Sequence, residues 1–442
     1  KSAIQELRKI YEYAKQEKNV SQMMKAHLTR ASLCIDITPD SLDSELSALK
    51  AWMEEEKDTV YQAILNNLLG YYILDTGKKD ETAIDTAIAY FQRSLQDKEI
   101  LFRKSAVDYR PMTNSKELSE KYCGDNMYQL LARQAISRLS GYFIANPVSA
   151  EKIQTEILSI YDGLIDFYRQ QGMTDARLLL MLDKLHYKGN DVSRGGVNER
   201  LRLTDEQVIT LLKQWAEEFA DSPLCGEVYC QLAERYDRMQ DYTAKLKAAQ
   251  TGLAKYPRSL SANDLKEQIA EVLTPRLMVE IPFAYPGKDV DLKVKYRNLA
   301  GLTVELYRMN LPVTSPVLER EINASTLSQY GKLVSSRHYD LAATPDYKET
   351  DTLLRYKFPV EGIYVVKSIP DGHRKYTAYG KAYVSSLQAI SLGLPDGKQE
   401  INIVDRLTGH PVTGTEVAYY RVSPGEGYRL IKAYPVNGKG SV

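Results

Sequence analysis

The segment Ser335-Ser336-Arg337-His338-Tyr339-Asp340 holds the three side-chain types of a hydrolytic triad within six positions. Acyl-transfer chemistry needs the serine hydroxyl within hydrogen-bond reach of the imidazole, and an acid behind it to orient the ring. Successive side chains of an extended chain point to opposite faces, so this crowding works against convergence and predicts a polar loop or edge strand. The five histidines, His27, His186, His338, His373 and His410, include no i,i+4 pair that one helix face could offer a metal ion. Cys225 and Cys230 are spaced to lie on different sides of a helix, which predicts two packed thiols in place of a disulfide. Gly425-Glu426-Gly427 and Gly438-Lys439-Gly440-Ser441 lack the other glycines of a phosphate loop and read as hairpin turns, and Glu54-Glu55-Glu56 reads as a solvated helix face. The chain contains no His-Glu-x-x-His, no phosphate loop, no Gly-x-Ser-x-Gly elbow and no Cys-x-x-Cys. The expectation is a chain that is not an enzyme, with no catalytic, metal or cofactor-binding residue to name and no cofactor.

With 442 residues the chain is long enough for about three domains. Lys plus Arg equals Asp plus Glu at 58 each, so no net field favours nucleic acid or an anionic lipid surface as a partner. No apolar run approaches the roughly 18 residues that span a bilayer, so no transmembrane segment is expected. The sequence opens at Lys1 without a charged-then-apolar leader, as expected where a leader has been removed or where a longer protein precedes it. Four cysteines, Cys34, Cys123, Cys225 and Cys230, are too few for a disulfide scaffold. The 32 Tyr against 7 Phe supply rings with a polar tip, suited to half-buried helix seams and sheet faces.

Residues 1–275 hold 11 Gly and 6 Pro, whereas the shorter 276–442 holds 14 and 11, which places a change from helix to turn-rich β near Pro275. Before that point apolar residues recur at helical spacing, as in Val208, Leu211, Leu212, Trp215 and Phe219, and then Val228, Leu232, Tyr236 and Met239. Gly226 with Ser222-Pro223 reads as the break between them. Tyr242, Leu246, Ala249 and Leu253 continue the pattern to Tyr256-Pro257. Val60 to Leu74 and Ala83 to Leu95 form a similar pair about a Gly77-Lys78-Lys79-Asp80 turn. Small Ala residues in each second helix allow close approach, the packing logic of tetratricopeptide-type repeats. The polar stretches 103–120 and 187–204, the latter with Gly189, Gly195 and Gly196, read as connectors.

Beyond Pro275 the apolar period falls to two. Val290, Leu292, Val294 and Tyr296 alternate with Asp291, Lys293, Lys295 and Arg297; Leu302, Val304 and Leu306 follow, and the Asn298 to Gly301 turn between predicts a hairpin. Leu354, Tyr356 and Phe358 alternate likewise, and short strands at this spacing predict an antiparallel sandwich.

Residues 400–421 run as strand, turn and strand, with Thr408-Gly409 closing the turn, Gly409 supplying a positive φ, Pro411 locking the return and Val412 tucking the loop onto the core. Together with Val279-Glu280-Ile281, the Pro286-Gly287 turn and the Lys293 to Asn298 strand, this segment resembles the macroglobulin-type β-sandwich modules of the α2-macroglobulin family. A helical-repeat region leading into such modules resembles the large envelope members found in Bacteroides-like bacteria. Strand-Thr-Gly-x-Pro-Val-strand segments also occur in carboxypeptidase-regulatory-like and fibronectin-like modules. The resulting organisation is multidomain, α then β: a TPR-like helical-repeat solenoid at 1–275, a macroglobulin-like sandwich at 276–387, and at 388–442 the start of a second, MG2-like sandwich that the remaining residues cannot complete.

The resemblance implies a protease trap, in which a bait segment and, in many members, a Cys–Gln thioester lie in downstream parts. The thioester pattern Gly-Cys-x-Glu-Gln has only an echo in Tyr122-Cys123-Gly124-Asp125-Asn126, which lacks the Glu and the Gln, so Cys123 reads as structural. The implied role is that of a non-catalytic part of an endopeptidase inhibitor in the periplasm or outer cell envelope, its helical region a protein-interaction arm, its partners proteases or envelope proteins, and a lipid anchor upstream compatible with this. Two alternatives stand beside it: an adaptor whose helix pairs bind a protein or peptide with the sandwiches as spacers, and a glycan hydrolase, which would need two facing carboxylates in a cleft.

Overall fold

The computed structural model describes residues 2–37, 42–76, 81–109, 120–142, 147–189, 203–395, 397–423 and 427–442. The expected turn at 77–80, residues 110–119 and 190–202 of the connectors expected at 103–120 and 187–204, and the first two residues of Gly425-Glu426-Gly427 lie outside these. Of the described ends of those connectors, Ala106–Tyr109 forms a 3-10 turn and 187–189 closes the helix Thr174–Gly189. Helices fill the first part of the chain: α1 (Ser2–Gln16), α2 (Val20–Ile37), α3 (Leu42–Glu55), α4 (Thr59–Thr76), α5 (Glu81–Ser94), α6 (Lys98–Phe102), α7 (Glu120–Cys123), α8 (Met127–Gly141), α9 (Pro147–Gln170), α10 (Thr174–Gly189), α11 (Asp205–Glu218), α12 (Cys225–Arg238), α13 (Tyr242–Lys255) and α14 (Ala262–Leu273). Antiparallel strands follow from Arg276 on. The contacts divide the chain into two compact units, Lys1–Arg235 with Ala248–Lys266, and Tyr236–Lys247 with Glu267–Val442.

In the first unit α4 is apolar on every side and has to be surrounded. Val60, Ala63, Ile64, Leu65, Leu69, Tyr72 and Leu74 are all buried, against α3, α5 and α8. Its start is capped by Asp58, whose carboxylate accepts from the backbone N–H groups of Val60 and Tyr61. Buried Asn67 donates to Ser94 Oγ at 3.2 Å and to the Leu131 carbonyl at 3.1 Å, which ties α4 to α5 and α8 at one level. The helix pair expected at 60–74 and 83–95 is α4 with α5, and Gly70 lets the ring of Phe91 lie where a Cβ would stand 2.9 Å away. Farther along, Thr204 and Gln207 form a reciprocal capping box that starts α11.

Two glycines decide how α12 and α13 meet their neighbours. Gly226 is not part of a break, as its sequence setting suggested, but the second residue of α12, and a Cβ there would fall 2.3 Å from the Ser259 side chain. Gly252 sits inside α13, where a Cβ would come within 2.5 Å of Tyr229 Cβ.

The second unit holds a sandwich built from β1 (Arg276–Glu280), β2 (Asp289–Arg297), β3 (Gly301–Met309), β4 (Gly331–Asp340), β5 (Thr350–Lys357), β6 (Gly362–Pro370) and β7 (Ala378–Val384). One sheet has the order β1-β2-β5 and the other β4-β3-β6-β7, with every pairing antiparallel. β2 and β3 are therefore not the hairpin their spacing suggests. The Asn298 turn carries the chain from one sheet to the other, so that Leu292 and Val294 face Leu302 and Val304 across a shared core. Each such fully buried aliphatic side chain contributes about 1.5–3 kcal/mol. The 21 residues between β3 and β4 form a cover: a 3-10 turn at Pro316–Glu319 and a short helix α15 (Ala324–Tyr330), N-capped by Asn323, place Leu318, Ile322 and Leu327 over Met309, Ile363 and Val365. This second small core lies on the outer face of β3 and β6, which is why β6 reads as an unbroken apolar run, Ile363-Tyr364-Val365-Val366, all buried.

After the sandwich come two antiparallel pairs, β8 (Leu387–Gly393) with β9 (Gln399–Asp405), and β10 (Glu416–Ser423) with β11 (Gly427–Pro435). Among the described residues from 387 on, Ile403 and Val436 are the buried apolar side chains, while Ile390, Leu392, Val422, Leu430 and Ile431 stay exposed.

An exposed helix position gains up to about 1 kcal/mol on Gly→Ala. The close contacts at Gly252 reverse that sign, and Gly252→Ala should destabilise the protein by about 1–3 kcal/mol. Gly163→Ala in α9, whose Cβ would meet nothing nearer than 3.6 Å, should be neutral or stabilising in the same chemical-denaturation measurement. Equal effects at both positions would contradict the packing described.

Candidate functional site

The structure separates the residues of the 335–340 segment. β4 is an edge strand, and alternation puts Ser335, Arg337 and Tyr339 toward the sandwich core and Ser336, His338 and Asp340 outward. Ser335 Oγ lies 3.0 Å from the hydroxyl of Tyr356, and the Arg337 guanidinium stands 5.3 Å from the centre of the same ring. His338 Nε2 lies 2.8 Å from Asp371 Oδ2 and its Nδ1 lies 4.0 Å from Asp340 Oδ1, so both ring nitrogens face carboxylates and neither faces a serine. Donation of a hydrogen bond to the Asp371 carboxylate raises the His338 pKa above the ordinary histidine value. Gly301 makes the pair possible, because a Cβ there would stand 2.2 Å from Asp371 Oδ2.

The remaining singled-out residues are held by packing. His27 is buried, with Nδ1 3.1 Å from Arg30, whereas His186, His373 and His410 are exposed on separate elements. Among the described residues no group of three or more His, Cys, Asp or Glu side chains is placed to hold a metal ion. Cys123, Cys225 and Cys230 are buried thiols outside any disulfide, and the Cys34 side chain lies outside the described residues. Burial raises the Cys225 thiol, and burial followed by the charge of Glu234 raises Cys230 to about 12. The Cys123 carbonyl accepts from Asn126 Nδ2 and from the Tyr168 hydroxyl, which fixes the start of α8. Glu54 and Glu55 are exposed, and Glu56 accepts from the backbone N–H groups of Lys57 and Asp58 at the end of α3. No helix among the described residues is long and apolar enough to cross a membrane.

The loop after β9 is the most ordered of the motifs. Asp405 Oδ1 accepts from Leu407 N, Thr408 N and Thr408 Oγ1, while Oδ2 accepts from the Tyr285 hydroxyl at 2.9 Å. The bonds from Thr408, first among these donors, hold the Asp405 pKa below its ordinary range. Gly409 has φ +71°, and its N–H donates to the Asp405 carbonyl at 2.8 Å. Val412 N donates back to Ile403 O, with an isolated bridge from Val404 to Pro411. The turn is the one expected, but the strand after it is not its partner. Gly414, at φ +73°, redirects the chain, and β10 pairs with β11 while β9 pairs with β8.

Among the described residues, concave places occur in both units. In the first, Ile165, Met181, Leu185, Leu211 and Trp215 line a slot of about 230 Å³ rimmed by charged residues. Its rim is paired internally, Arg177 with Glu218 and Lys184 with Asp162. In the second, the last turn of α14 and the ends of β1 and β2 enclose a polar cleft of about 360 Å³.

No family model matches the chain, and no curated protein sequence matches it. Among solved structures, a fragment of the native α2-macroglobulin of Escherichia coli spanning domains MG0-NIE-MG1 aligns over 38% of this chain and 56% of its own, at 18% identity and a TM-score of 0.31. The NIE-MG1 fragment of that protein aligns over 38% of this chain and 86% of its own, at 16% identity and a TM-score of 0.29. The N-terminal part of the bacterial S-layer protein SbsC aligns over 86% of this chain and 93% of its own, at 12% identity and a TM-score of 0.18. The chain thus spans little more than half of the first of these structures.

In a Cys34→Ala background the native protein should resist thiol reagents at pH 8, and all three remaining cysteines should react on unfolding. Rapid modification of any of them in the native state would contradict their burial. Gly409→Val should destabilise the C-terminal strands by about 1–3 kcal/mol through backbone strain alone, since a Cβ there meets nothing within 4 Å. Gly409→Asn, which tolerates positive φ, should cost clearly less in the same thermal melt.

Proposed function

We propose that this chain is a non-catalytic part of an α2-macroglobulin-like protein that contributes to endopeptidase inhibition at the bacterial cell envelope, outside the cytoplasm. The observation that carries the reading is the order of parts. A helical region runs into a sandwich of three plus four strands, and a further β segment follows that contains the Asp405–Val412 turn, whose sequence resembles that family. A non-enzymatic role is supported by the placement of the triad-like residues of β4: His338 turns both nitrogens to carboxylates, and Ser335 turns to Tyr356. In this role the helical unit is the arm that meets other proteins, and together with the β modules it positions a downstream trap.

A second reading is favoured by the apolar slot beside Trp215, which has the size and lining to seat one large side chain of a bound peptide. That reading makes the chain an adaptor, with no inhibitory role.

The full reading frame and an inhibition assay separate the two. On the first reading the frame continues past Val442 into further β modules and a cleavable segment, the whole protein blocks an endopeptidase stoichiometrically, and residues 1–442 alone leave its activity unchanged. A stop codon directly after Val442, or a stoichiometric block by residues 1–442, would sink it.

A further inference from the structure

The polar cleft of the second unit brings four cations together with two carboxylates. Lys245, Arg276, Arg297 and Lys348 line it with Glu271 and Glu349. Both carboxylates are already engaged: Glu349 pairs with Arg276 at 3.0 Å, and Glu271 takes a 2.7 Å hydrogen bond from Lys245. Lys245 also binds Asp237 at 2.7 Å, and the cations still exceed the carboxylates by one when Asp237 is counted.

The unbalanced charge centres on Arg297. Its side chain is only 4% exposed, yet its hydrogen bonds go to neutral acceptors, the carbonyls of Glu271 at 2.6 Å and Thr274 at 3.5 Å, and its Nε finds no acceptor. Burial, and then the positive charge of Arg276, hold its pKa below the ordinary arginine value. Glu349 and Glu271 act on it in the opposite sense, but its hydrogen bonds go to neutral carbonyls, and an anion brought into contact with such a buried charge offsets the cost of burying it. The walls are also set in advance. Among the described residues four non-glycine residues have positive φ, and three of them, Gln240, Asn298 and Tyr347, line the cleft or directly adjoin a residue that does. Backbone held this way around a charged cavity is a mark of pre-organisation.

We propose that this cleft is a carboxylate-binding site: Arg297 and Arg276 on its wall and exposed Lys348 at its rim receive one carboxylate of a peptide, in a cavity that admits little more than the residue bearing it. The carboxylate comes from a chain terminus or from an acidic side chain, two sources with the same chemistry. The cleft lies within one compact unit and stands independently of the family reading.

The test is calorimetric titration of the whole 442-residue protein with three probes: a tetraglycine with a free C-terminus, an amidated tetrapeptide with one internal aspartate, and inorganic phosphate. Saturable binding of one or both peptides is expected, the tighter one identifying the source, and blocking the carboxylate as an ester or amide should abolish it. Lys348→Gln, at an exposed position that leaves the fold intact, should weaken binding about fivefold to tenfold, and Arg297→Lys should weaken it further by removing the planar fork. Absence of peptide binding at millimolar concentration, affinity unchanged in Lys348→Gln, or phosphate binding tighter than both peptides would overturn the proposal.

Discussion

A helix leaves its last carbonyls without partners inside the helix, and something has to satisfy them. At the end of α14 the donors come from the corner between β2 and β3. Arg297 Nη2 donates to the carbonyls of Glu271 and Thr274, and Asn298 Nδ2 donates to that of Val272 at 2.7 Å. Lys245, only 2% exposed, locks the same turn from the other side through Glu271, and its pKa is raised because hydrogen bonds to Asp237 and Glu271 outweigh the effect of burial. The point where the backbone changes from helix to strand is thus held by side chains from both kinds of element. This explains why Tyr236–Lys247 and Glu267–Leu273 group with the strands and not with the other helices.

The abundance of tyrosine has a similar logic. Tyr168, Tyr356 and Tyr364 are among the largest fully buried side chains, and each hydroxyl reaches a main-chain carbonyl: Cys123, Val304 and Val360 respectively. Tyr72 and Tyr296 do the same with Leu28 and Ala342. A phenylalanine would contribute the same apolar area and leave those carbonyls short of a donor. The rings therefore do more than line half-buried seams. They stitch loops to cores, as where Tyr296 of β2 holds the chain after β4 at 3.2 Å.

Glycine plays the complementary part, by absence of a side chain. Gly226, Gly252 and Gly301 each leave a space that a side chain from another element enters, and at Gly301 this brings His338 and Asp371 together on the sheet surface. No local rule of turn or helix composition marks these positions, because the neighbour that needs the space is distant in sequence.

The order helix then strand, the alternation along β2, β3 and β5, and the αL turn at Gly409 were legible from the residues alone, because each is a property of local spacing or of one residue's allowed φ. Pairing was not legible. The Asn298 and Gly409 turns look like hairpins in sequence, but each passes the chain between sheets, since side-chain alternation says which face is buried and not which strand lies alongside. The cover helix α15 escaped notice for a related reason: its apolar residues serve a second core that exists only once β3 and β6 are neighbours. Likewise no spacing connects Lys245, Arg276, Arg297 and Lys348. Their chain positions span about a hundred residues, and their shared cleft arises from the way α14, β1 and β2 close on one another. Local chemistry decided the elements of this protein, and long-range burial decided which charges had to share a cavity.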